Sequence, residues 1–379
     1  MLQHLELDRA LVAEMDAQIH EIEAEISKFQ VEEQLTALKD SISVLHASKE
    51  LAQQRLDSYQ YPVLTLPNEI IAEIFLHFLP TYPEPPPFFG KLSPTTLTHI
   101  CHQWRETALA TPALWRAIRI DHKTWKLSGE EAVSLSTARL KRSGSLPLSV
   151  RASDWYQGSP FAPSLALHRE RWEHTKFSLK AASLSSVLDG PMPLLRTLWF
   201  LLLGPVTLRP FTVQSDNVPL LRSVILADYG ARIIRLPWSQ LTSLKLSPVT
   251  LTPCVSILRQ TTCLVDLTLN LSKISNDDGP AYPDLILPHL ENLAFEPRSG
   301  LHLGFFRSLV VPALLGLKLP EMFLARVSCP DRIHVGRLNS FISKSGCTLN
   351  ELRISSASVH TEMAYRDAFP SIPLVHCDA

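Results

Sequence analysis

The residues best placed to do chemistry are His99, Cys101 and His102, the tightest group of possible metal ligands in the chain. Imidazole nitrogens and thiolates are the ligands that zinc prefers. On a helix, however, Cys101 would face Leu97 and Trp104 while the two histidines diverge, so we expect a core thiol flanked by surface histidines. The sequence also lacks the common nucleophile, nucleotide, zinc-protease and EF-hand fingerprints. We therefore predict no enzyme activity, no metal and no cofactor.

Charge gives no indication of a polyanionic partner. Lysine and arginine total 36 against 37 aspartates and glutamates, a formal net charge of -1, whereas nucleic-acid-binding proteins carry an excess of positive charge. Arg139, Lys141 and Arg142 form a small basic patch, which is typical of a solvated surface. We therefore expect no nucleic-acid partner.

No segment has the pattern of a leader or a membrane span. Glu6 and Asp8 stand where a secretory leader would be basic and then apolar. The most apolar run, residues 194–206, contains Arg196 and is shorter than the roughly 20 residues that cross a bilayer. We expect cytoplasmic and/or nuclear residence, between which the sequence does not distinguish, and no membrane partner.

Residues 1–60 predict a long helix that forms a coiled coil. Neither glycine nor proline, the two residues that most often end a helix, occurs before Pro62, although the chain holds 13 Gly and 29 Pro. Apolar residues recur at alternating steps of three and four, the heptad pattern of a coiled coil. The members of this first seam are Leu5, Asp8, Val12, Met15, Ile19, Ile22, Ile26 and Phe29.

After Phe29 the heptad pattern changes register. The second series is Val31, Leu35, Leu38, Ile42, Leu45, Lys49, Ala52, Leu56 and Tyr59. The change is either a stutter in one helix of ~87 Å or the turn of a helical hairpin. We expect the seam to pair with another helix, in a homodimer through residues 1–58 or with a different protein; packing against the rest of the same chain is the alternative.

Residues 61–120 predict a small all-α domain. Leu66 and Pro67 open a first helix, in which proline occupies a permitted first-turn position. Its apolar residues form a double stripe, Ile70, Ile71, Ile74, Phe75, Phe78 and Leu79. The proline-rich segment from Thr81 to Leu92 predicts a loop. Ser93 and Pro94 begin a second helix, whose predicted apolar face is Leu97, Ile100, Cys101, Trp104 and Ala108.

This domain resembles the F-box, in particular that of the F-box-like proteins of fungi. The resemblance is carried, in order, by the runs Leu64–Phe75, Leu97–Arg105 and Ala110–Trp115. It implies docking on the Skp adaptor of a cullin ubiquitin ligase, with the rest of the chain selecting a substrate. Two short helices cannot bury so many large side chains among themselves, which also favours a partner. The residues expected to bind it are Leu66, Pro67, Ile70, Ile74, Phe75, Leu97, Cys101, Trp104, Leu114 and Trp115.

Residues 121–379 contain a recurring Leu-x-x-Leu-x-Leu pattern with conservative replacements. Its first positions are Leu195, Leu221, Leu241, Leu264, Leu290, Leu314 and Leu349, separated by 26, 20, 23, 26, 24 and 35 residues. That spacing is the period of leucine-rich repeats. Four motifs have a proline two residues before the first leucine, where a residue without an N–H can begin a strand. These are Pro193, Pro219, Pro288 and Pro312.

Each repeat should supply one short strand to a curved parallel sheet. The asparagine ladder of regular repeats is absent, so we expect an irregular solenoid, with residues 121–189 as divergent first repeats. The predicted fold is therefore an α/β or α+β chain of three parts, comprising a coiled-coil helix, an F-box-like domain and an irregular leucine-rich-repeat-like domain.

This organisation favours a non-catalytic substrate receptor of an SCF-type ubiquitin ligase, which binds the Skp adaptor and a protein substrate that the sequence does not identify. A second hypothesis is a leucine-rich-repeat scaffold that dimerises by its coiled coil and has no ligase role. A third, an enzyme with a site assembled from scattered polar residues, has no motif to support it.

Overall fold

The computed structural model describes residues 2–58, 65–120, 129–153, 161–203, 210–227, 229–272, 282–296, 303–324, 331–355 and 359–378. The chain divides into two compact units, Met1–Pro67 and Asn68–Ala379. The predicted divisions at residues 60 and 120 remain predictions. No helix in the described ranges is both long enough and apolar enough to cross a membrane.

The first unit contains one continuous helix, α1, Leu2–Ser58. The predicted long helix is confirmed, and the hairpin alternative is wrong. At 57 residues and 1.5 Å per residue it is ~86 Å long. Its large apolar side chains between Val12 and Leu51 are 48–74% exposed. The apolar residues of both heptad series in that stretch are therefore available on the surface of the helix.

The second unit begins with three short helices. These are α2, Asn68–Phe78, α3, Pro94–Leu97, and α4, His102–Leu109, followed by a single 3-10 turn at Pro112–Leu114. Residues 79–93 form no helix or strand, in agreement with the predicted loop. The chain passes from the 3-10 turn directly into the first strand of a large sheet.

The described strands number fifteen. In chain order they are β1 Ala117–Ile120, β2 Leu148–Ser153, β3 Trp172–Lys180, β4 Thr197–Leu203, β5 Phe211–Thr212, β6 Ser223–Ala227, β7 Ile234–Arg235, β8 Ser243–Val249, β9 Asp266–Leu271, β10 Leu285–Ile286, β11 Asn292–Phe295, β12 Leu309–Val310, β13 Gly316–Pro320, β14 Glu351–Ser355 and β15 Leu374–Asp378.

Eleven of these strands form one parallel sheet in the order β1-β2-β3-β4-β6-β8-β9-β11-β13-β14-β15. Each strand of the main sheet pairs with the strand of that sheet that follows it along the chain. Two small parallel pairs, β5 with β7 and β10 with β12, lie outside the main sheet. The predicted large parallel sheet is confirmed.

Eight of the ten connections between successive strands of the main sheet contain a described α-helix, because a parallel pair requires a crossover. The crossover helices described are α5 Gly129–Arg142, α6 Phe161–Ala166, α7 Leu184–Leu188, α8 Gly230–Ile233, α9 Leu251–Leu258, α10 Leu303–Ser308, α11 Asp331–Ser345 and α12 Val359–Ala368. Their apolar residues join those of the strands in one continuous core.

All seven leucine motifs lie on consecutive strands of the main sheet, from β4 to β14. The second apolar residue of each motif pairs with the second of the next, and all seven are buried. These in-register residues are Leu198, Val224, Leu244, Leu267, Leu293, Leu317 and Leu352. Strands β2 and β3 lie within residues 121–189, the stretch interpreted from sequence as divergent first repeats, whereas β1 and β15 carry no motif and were not predicted.

On each strand of the main sheet, the residue that follows this in-register position points to the opposite face, because side chains alternate along a strand. We call these eleven paired residues the outward row, and none of them is buried. Its members are Arg119, Arg151, Lys176, Trp199, Ile225, Lys245, Thr268, Ala294, Lys318, Arg353 and His376.

Candidate functional site

Helix α2 carries its apolar residues on two adjacent stripes, of which only one is buried. Ile71 and Phe75 belong to the core. Ile70 and Ile74, one turn apart on the neighbouring stripe, are 49% and 44% exposed, and Phe78 continues the same stripe. The exposed stripe is therefore an apolar surface of the kind that a partner helix could cover.

The buried stripe of α2 is held against α4. The ring of Phe75 meets that of Trp104 edge to face, with 4.9 Å between centroids. At the start of α2, Asn68 Oδ1 accepts hydrogen bonds from Gln103 Nε2 and Thr107 Oγ1, each at 3.3 Å. Contacts at both ends of α2 fix its rotation, which keeps the exposed stripe outward.

The sequence predicted one helix after Pro94, and that prediction is wrong. The structure breaks the helix between α3 and α4. Thr98 Oγ1 donates to the Thr95 carbonyl at 2.7 Å, and the Thr98 carbonyl accepts from Arg105 Nε at 2.7 Å. The side chain of Arg105 thus satisfies a carbonyl that a continuous helix would have bonded internally.

The break changes the role of Cys101 and the environment of Ile100. Cys101 is extended, with φ −152° and ψ 173°, and caps α4 by accepting a hydrogen bond from Trp104 N at 3.5 Å. Cys101 is half-buried, so the prediction of a core thiol on a helical face is wrong. Ile100, expected on the buried face, is exposed. The sequence pattern placed Ile100 on the buried face because the helical period was continued across residues that are not helical.

Leu97, Leu114 and Trp115 lie inside the second unit. The indole N–H of Trp115 donates to the Ala108 carbonyl at 2.8 Å, and the Arg142 guanidinium carbon lies 4.7 Å from the centroid of the Trp115 ring. A large ring with its one polar atom satisfied is a stable core element. These residues support the helices from within.

The ten predicted partner-binding residues therefore fall into three groups. Pro67, Ile70 and Ile74 are exposed, and Leu66, Cys101 and Trp104 are half-buried. The remaining four are buried, and these are Phe75, Leu97, Leu114 and Trp115. Among the predicted residues of α2, only Ile70 and Ile74 offer apolar surface to a partner.

The proline-rich loop is anchored on α5. Phe88 is buried, and the guanidinium carbon of Arg139 lies 4.0 Å from the centroid of its ring. Arg139 Nη2 also donates to the Phe88 carbonyl at 2.6 Å and to Ser93 Oγ at 3.0 Å. Burial, with repulsion from Arg142, lowers the pKa of Arg139 to about 10. Arg139 is therefore a buried structural cation, which corrects its assignment to a solvated basic patch.

The start of the same loop lies on the sheet. Tyr82 Oη donates to Glu173 Oε2 at 2.8 Å, and the Arg116 guanidinium carbon lies 3.6 Å from the centroid of the Tyr82 ring. Ser149 Oγ donates to the Pro83 carbonyl at 2.5 Å. Glu84 forms an ion pair with Arg151 of the outward row at 3.0 Å. The loop is thus a packed connection between the helices and strands β2 and β3.

No cluster of three or more His, Cys, Asp or Glu side chains suited to a metal occurs in the described ranges. His99 and His102 are exposed, and His102 Nε2 lies 3.4 Å from Glu106 Oε1. No family model matches the chain, and no curated protein matches it with significance.

Proposed function

We propose that this chain is the substrate-recognition subunit of an SCF-type cullin ubiquitin ligase. Residues 61–120 would act as an F-box-like domain that binds the Skp adaptor, and the sheet would bind a protein substrate. The proposal is carried by the exposed stripe of α2, where Ile70 and Ile74 lie beside a buried stripe that fixes their direction. The resemblance of this segment to the F-box supplies the identity of the partner.

Covering that stripe would contribute substantially to binding. A fully buried aliphatic side chain contributes about 1.5–3 kcal/mol, so two half-exposed isoleucines offer roughly that amount together. The buried residues of the predicted set, such as Phe75 and Trp115, hold the stripe in place. Their substitution would weaken adaptor binding through the fold of the module.

For the recognition part, we interpret residues 121–379 as an irregular leucine-rich-repeat-like solenoid. Support comes from the seven motifs at repeat-like spacing and from their in-register pairing on consecutive strands. In such a solenoid each repeat contacts only its neighbours, which leaves an extended face for a ligand.

The mechanism would be one of proximity, in which no residue of this chain makes or breaks a bond. The adaptor surface and the substrate surface belong to one compact unit, Asn68–Ala379. A substrate bound to the sheet would be held near the ubiquitin-charged enzyme that the rest of the ligase carries. Holding two reactants together converts an encounter into an intramolecular step.

The test is co-expression of the full chain with a fungal Skp adaptor, followed by size-exclusion chromatography with light scattering. We expect a one-to-one complex for the native chain. The double substitution Ile70→Glu with Ile74→Glu places two charges on the exposed stripe and should abolish the complex, while the circular dichroism spectrum stays unchanged. Leu66→Ala with Pro67→Ala should weaken it.

The matched control is Leu135→Glu with Met363→Glu, at exposed apolar positions of α5 and α12. The control should bind the adaptor like the native chain. A complex that survives in the α2 variant would contradict the assigned surface, and no complex with the native chain would contradict the adaptor role.

The exposed seam of α1 favours a second candidate, a scaffold protein that dimerises through its coiled coil and has no ligase role. This candidate predicts a stable dimer that does not bind the adaptor. The same chromatography distinguishes the two.

A further inference from the structure

The outward row of the main sheet is rich in positive charge. Six of its eleven positions are Lys or Arg, and none is Asp or Glu. The six are Arg119, Arg151, Lys176, Lys245, Lys318 and Arg353. Lysine and arginine make up 36 of the 379 residues, so about one would be expected in eleven positions of average composition. The concentration of charge arises only when the strands are placed side by side.

Three of these cations lie on adjacent strands. Arg119, Arg151 and Lys176 pair directly across β1, β2 and β3, where neighbouring strands are roughly 4.8 Å apart. Burial, followed by repulsion from Arg151 and Arg119, lowers the pKa of Lys176, and Glu84 opposes that change. A bound carboxylate would therefore relieve repulsion that already exists among these side chains.

An aromatic ring adjoins Lys176, one of the three cations. The Lys176 amino group lies 4.9 Å from the centroid of the Trp199 ring, on the next strand. No carboxylate of the described residues lies within ion-pair distance of Lys176. The face thus offers a cation beside a half-buried indole, which suits an acidic side chain followed by an apolar one.

The protein already places one carboxylate on this surface. Glu84, from the proline-rich loop, contacts Arg151 at 3.0 Å while both side chains remain partly exposed to solvent. The contact demonstrates that a glutamate reaches the row in a suitable geometry. Exposed ion pairs of this kind contribute little energy, so a partner could replace Glu84 at small cost.

Carboxylates near the outward row favour a polypeptide over a nucleic acid as its ligand. Glu173 pairs with Arg196 at 3.3 Å, and Glu296 pairs with Lys245 at 2.5 Å. These carboxylates interrupt the positive face, and a continuous chain of phosphates would meet them as repulsive charges. A short segment with a few carboxylates can contact Arg151 and Lys176 without extending along the row to Glu296.

We propose that the outward row, at its β1 to β4 end, binds an acidic segment of a partner protein, with carboxylates on Arg151 and Lys176 and an apolar side chain against Trp199. The identification of that partner as a ubiquitination substrate rests on the proposed function. The binding itself does not require the adaptor.

The test uses fluorescence anisotropy on the full chain with a short fluorescein-labelled peptide of glutamates around one central leucine. The peptide with glutamine in place of glutamate and a labelled oligo(dT) of equal length are the comparison probes. We expect the glutamate peptide to bind, the glutamine peptide to bind at least about tenfold more weakly, and added salt to reduce the difference.

Substitutions then locate the site. Arg151→Gln with Lys176→Gln should weaken binding of the glutamate peptide by about tenfold or more. The control, Lys91→Gln with Lys141→Gln, removes the same charge from exposed positions outside the row and should leave that binding unchanged. Glu84→Gln should strengthen binding several-fold, because it removes the carboxylate that occupies Arg151. A purely structural role for Glu84 does not predict that gain.

Equal binding of the two peptides, or equal loss in the row variant and its control, would overturn the inference, as would preference for oligo(dT). The same variants are tested for the adaptor complex by chromatography. An adaptor complex without peptide binding would refute this inference alone, and peptide binding without an adaptor complex would refute the proposed function alone.

Discussion

At the scale of single residues, the contacts of Tyr82 and His174 hold the proline-rich loop on the sheet. The two rings meet edge to face at 5.5 Å, and His174 Nδ1 lies 3.2 Å from Thr197 Oγ1. Burial and the hydrogen bond to Glu173 raise the pKa of Tyr82, so its hydroxyl stays a donor at all ordinary pH values. This small polar cluster links the helices to the sheet.

His174 of this cluster, together with His168, predicts that the stability of the fold depends on pH. Burial is the main cause of the lowered pKa of His174, opposed by Glu173 and reinforced by Arg196 and Arg116. Burial, with Arg171, also lowers the pKa of His168. As pH falls, the two imidazoles take up protons near pH 6.5 in the unfolded chain but only at lower pH in the folded chain. Their contribution to the free energy of unfolding is therefore fully present above about pH 6.5 and is lost as pH falls toward the folded-state pKa values.

We expect the native chain to lose more stability between about pH 7.5 and about pH 5.5 than the variant His168→Gln with His174→Gln, because glutamine does not titrate. The measurement is the urea midpoint at both pH values. The control variant His20→Gln with His289→Gln, at exposed positions, should behave like the native chain. An identical pH dependence in the His168 and His174 variant would contradict the assignment.

At the scale of elements, α1 departs most from what a globular fold requires. Glycine and proline are absent from it, and a polar residue occupies the first seam only at Asp8. Its large apolar side chains from Val12 to Leu51 are about half exposed or more. A helix of this length with an uncovered seam is stabilised mainly by pairing with another helix.

We expect Ile19→Glu with Ile22→Glu to convert a dimer into a monomer, since charges in a coiled-coil seam oppose pairing. Light scattering of the full chain at several concentrations gives the mass. The control, Ala17→Glu with Ala24→Glu, adds the same charge at the outer position of the heptad that contains Ile19 and Ile22 and of the heptad before it. A monomeric native chain, or equal mass in both variants, would contradict a homodimer through residues 1–58.

At the scale of the whole molecule, helices α2 to α4 and the sheet are joined by many side chains. Phe88 contacts Arg139, Pro83 accepts from Ser149, and β1 pairs with β2. Residues 68–120 therefore complete their packing only with elements that follow them along the chain. A fragment cut at the predicted boundary would lose these contacts.

We expect a fragment of residues 61–120, produced alone, to lack a cooperative unfolding transition, whereas a fragment of residues 61–379 should unfold cooperatively. The physical reason is that the fragment exposes Phe88, Trp115 and the edge of β1, which are covered or paired in the full unit. Thermal unfolding followed by circular dichroism makes the comparison. A cooperative transition in the short fragment would establish it as an independent domain.

Much of the architecture was predictable because it depends on short-range patterns. The absence of glycine and proline predicted α1, and the leucine motifs predicted seven strands, since helix and strand periods are properties of the local backbone. The same method failed at Cys101. There a side chain seven residues beyond Thr98, Arg105, stabilises the helix break, and the apolar period contains no sign of that hydrogen bond.

Local sequence patterns were enough to predict the long helix α1, the proline-rich loop and the seven motif-bearing strands in their order, because these periodicities depend on each residue and its near neighbours. Three-dimensional packing sets which stripe of α2 is exposed, places the proline-rich loop on the sheet and brings six cations into the outward row. The physical reason is that these arrangements depend on strand register and on contacts such as Arg151 with Glu84, 67 residues apart. Register brings residues together that the linear pattern keeps separate.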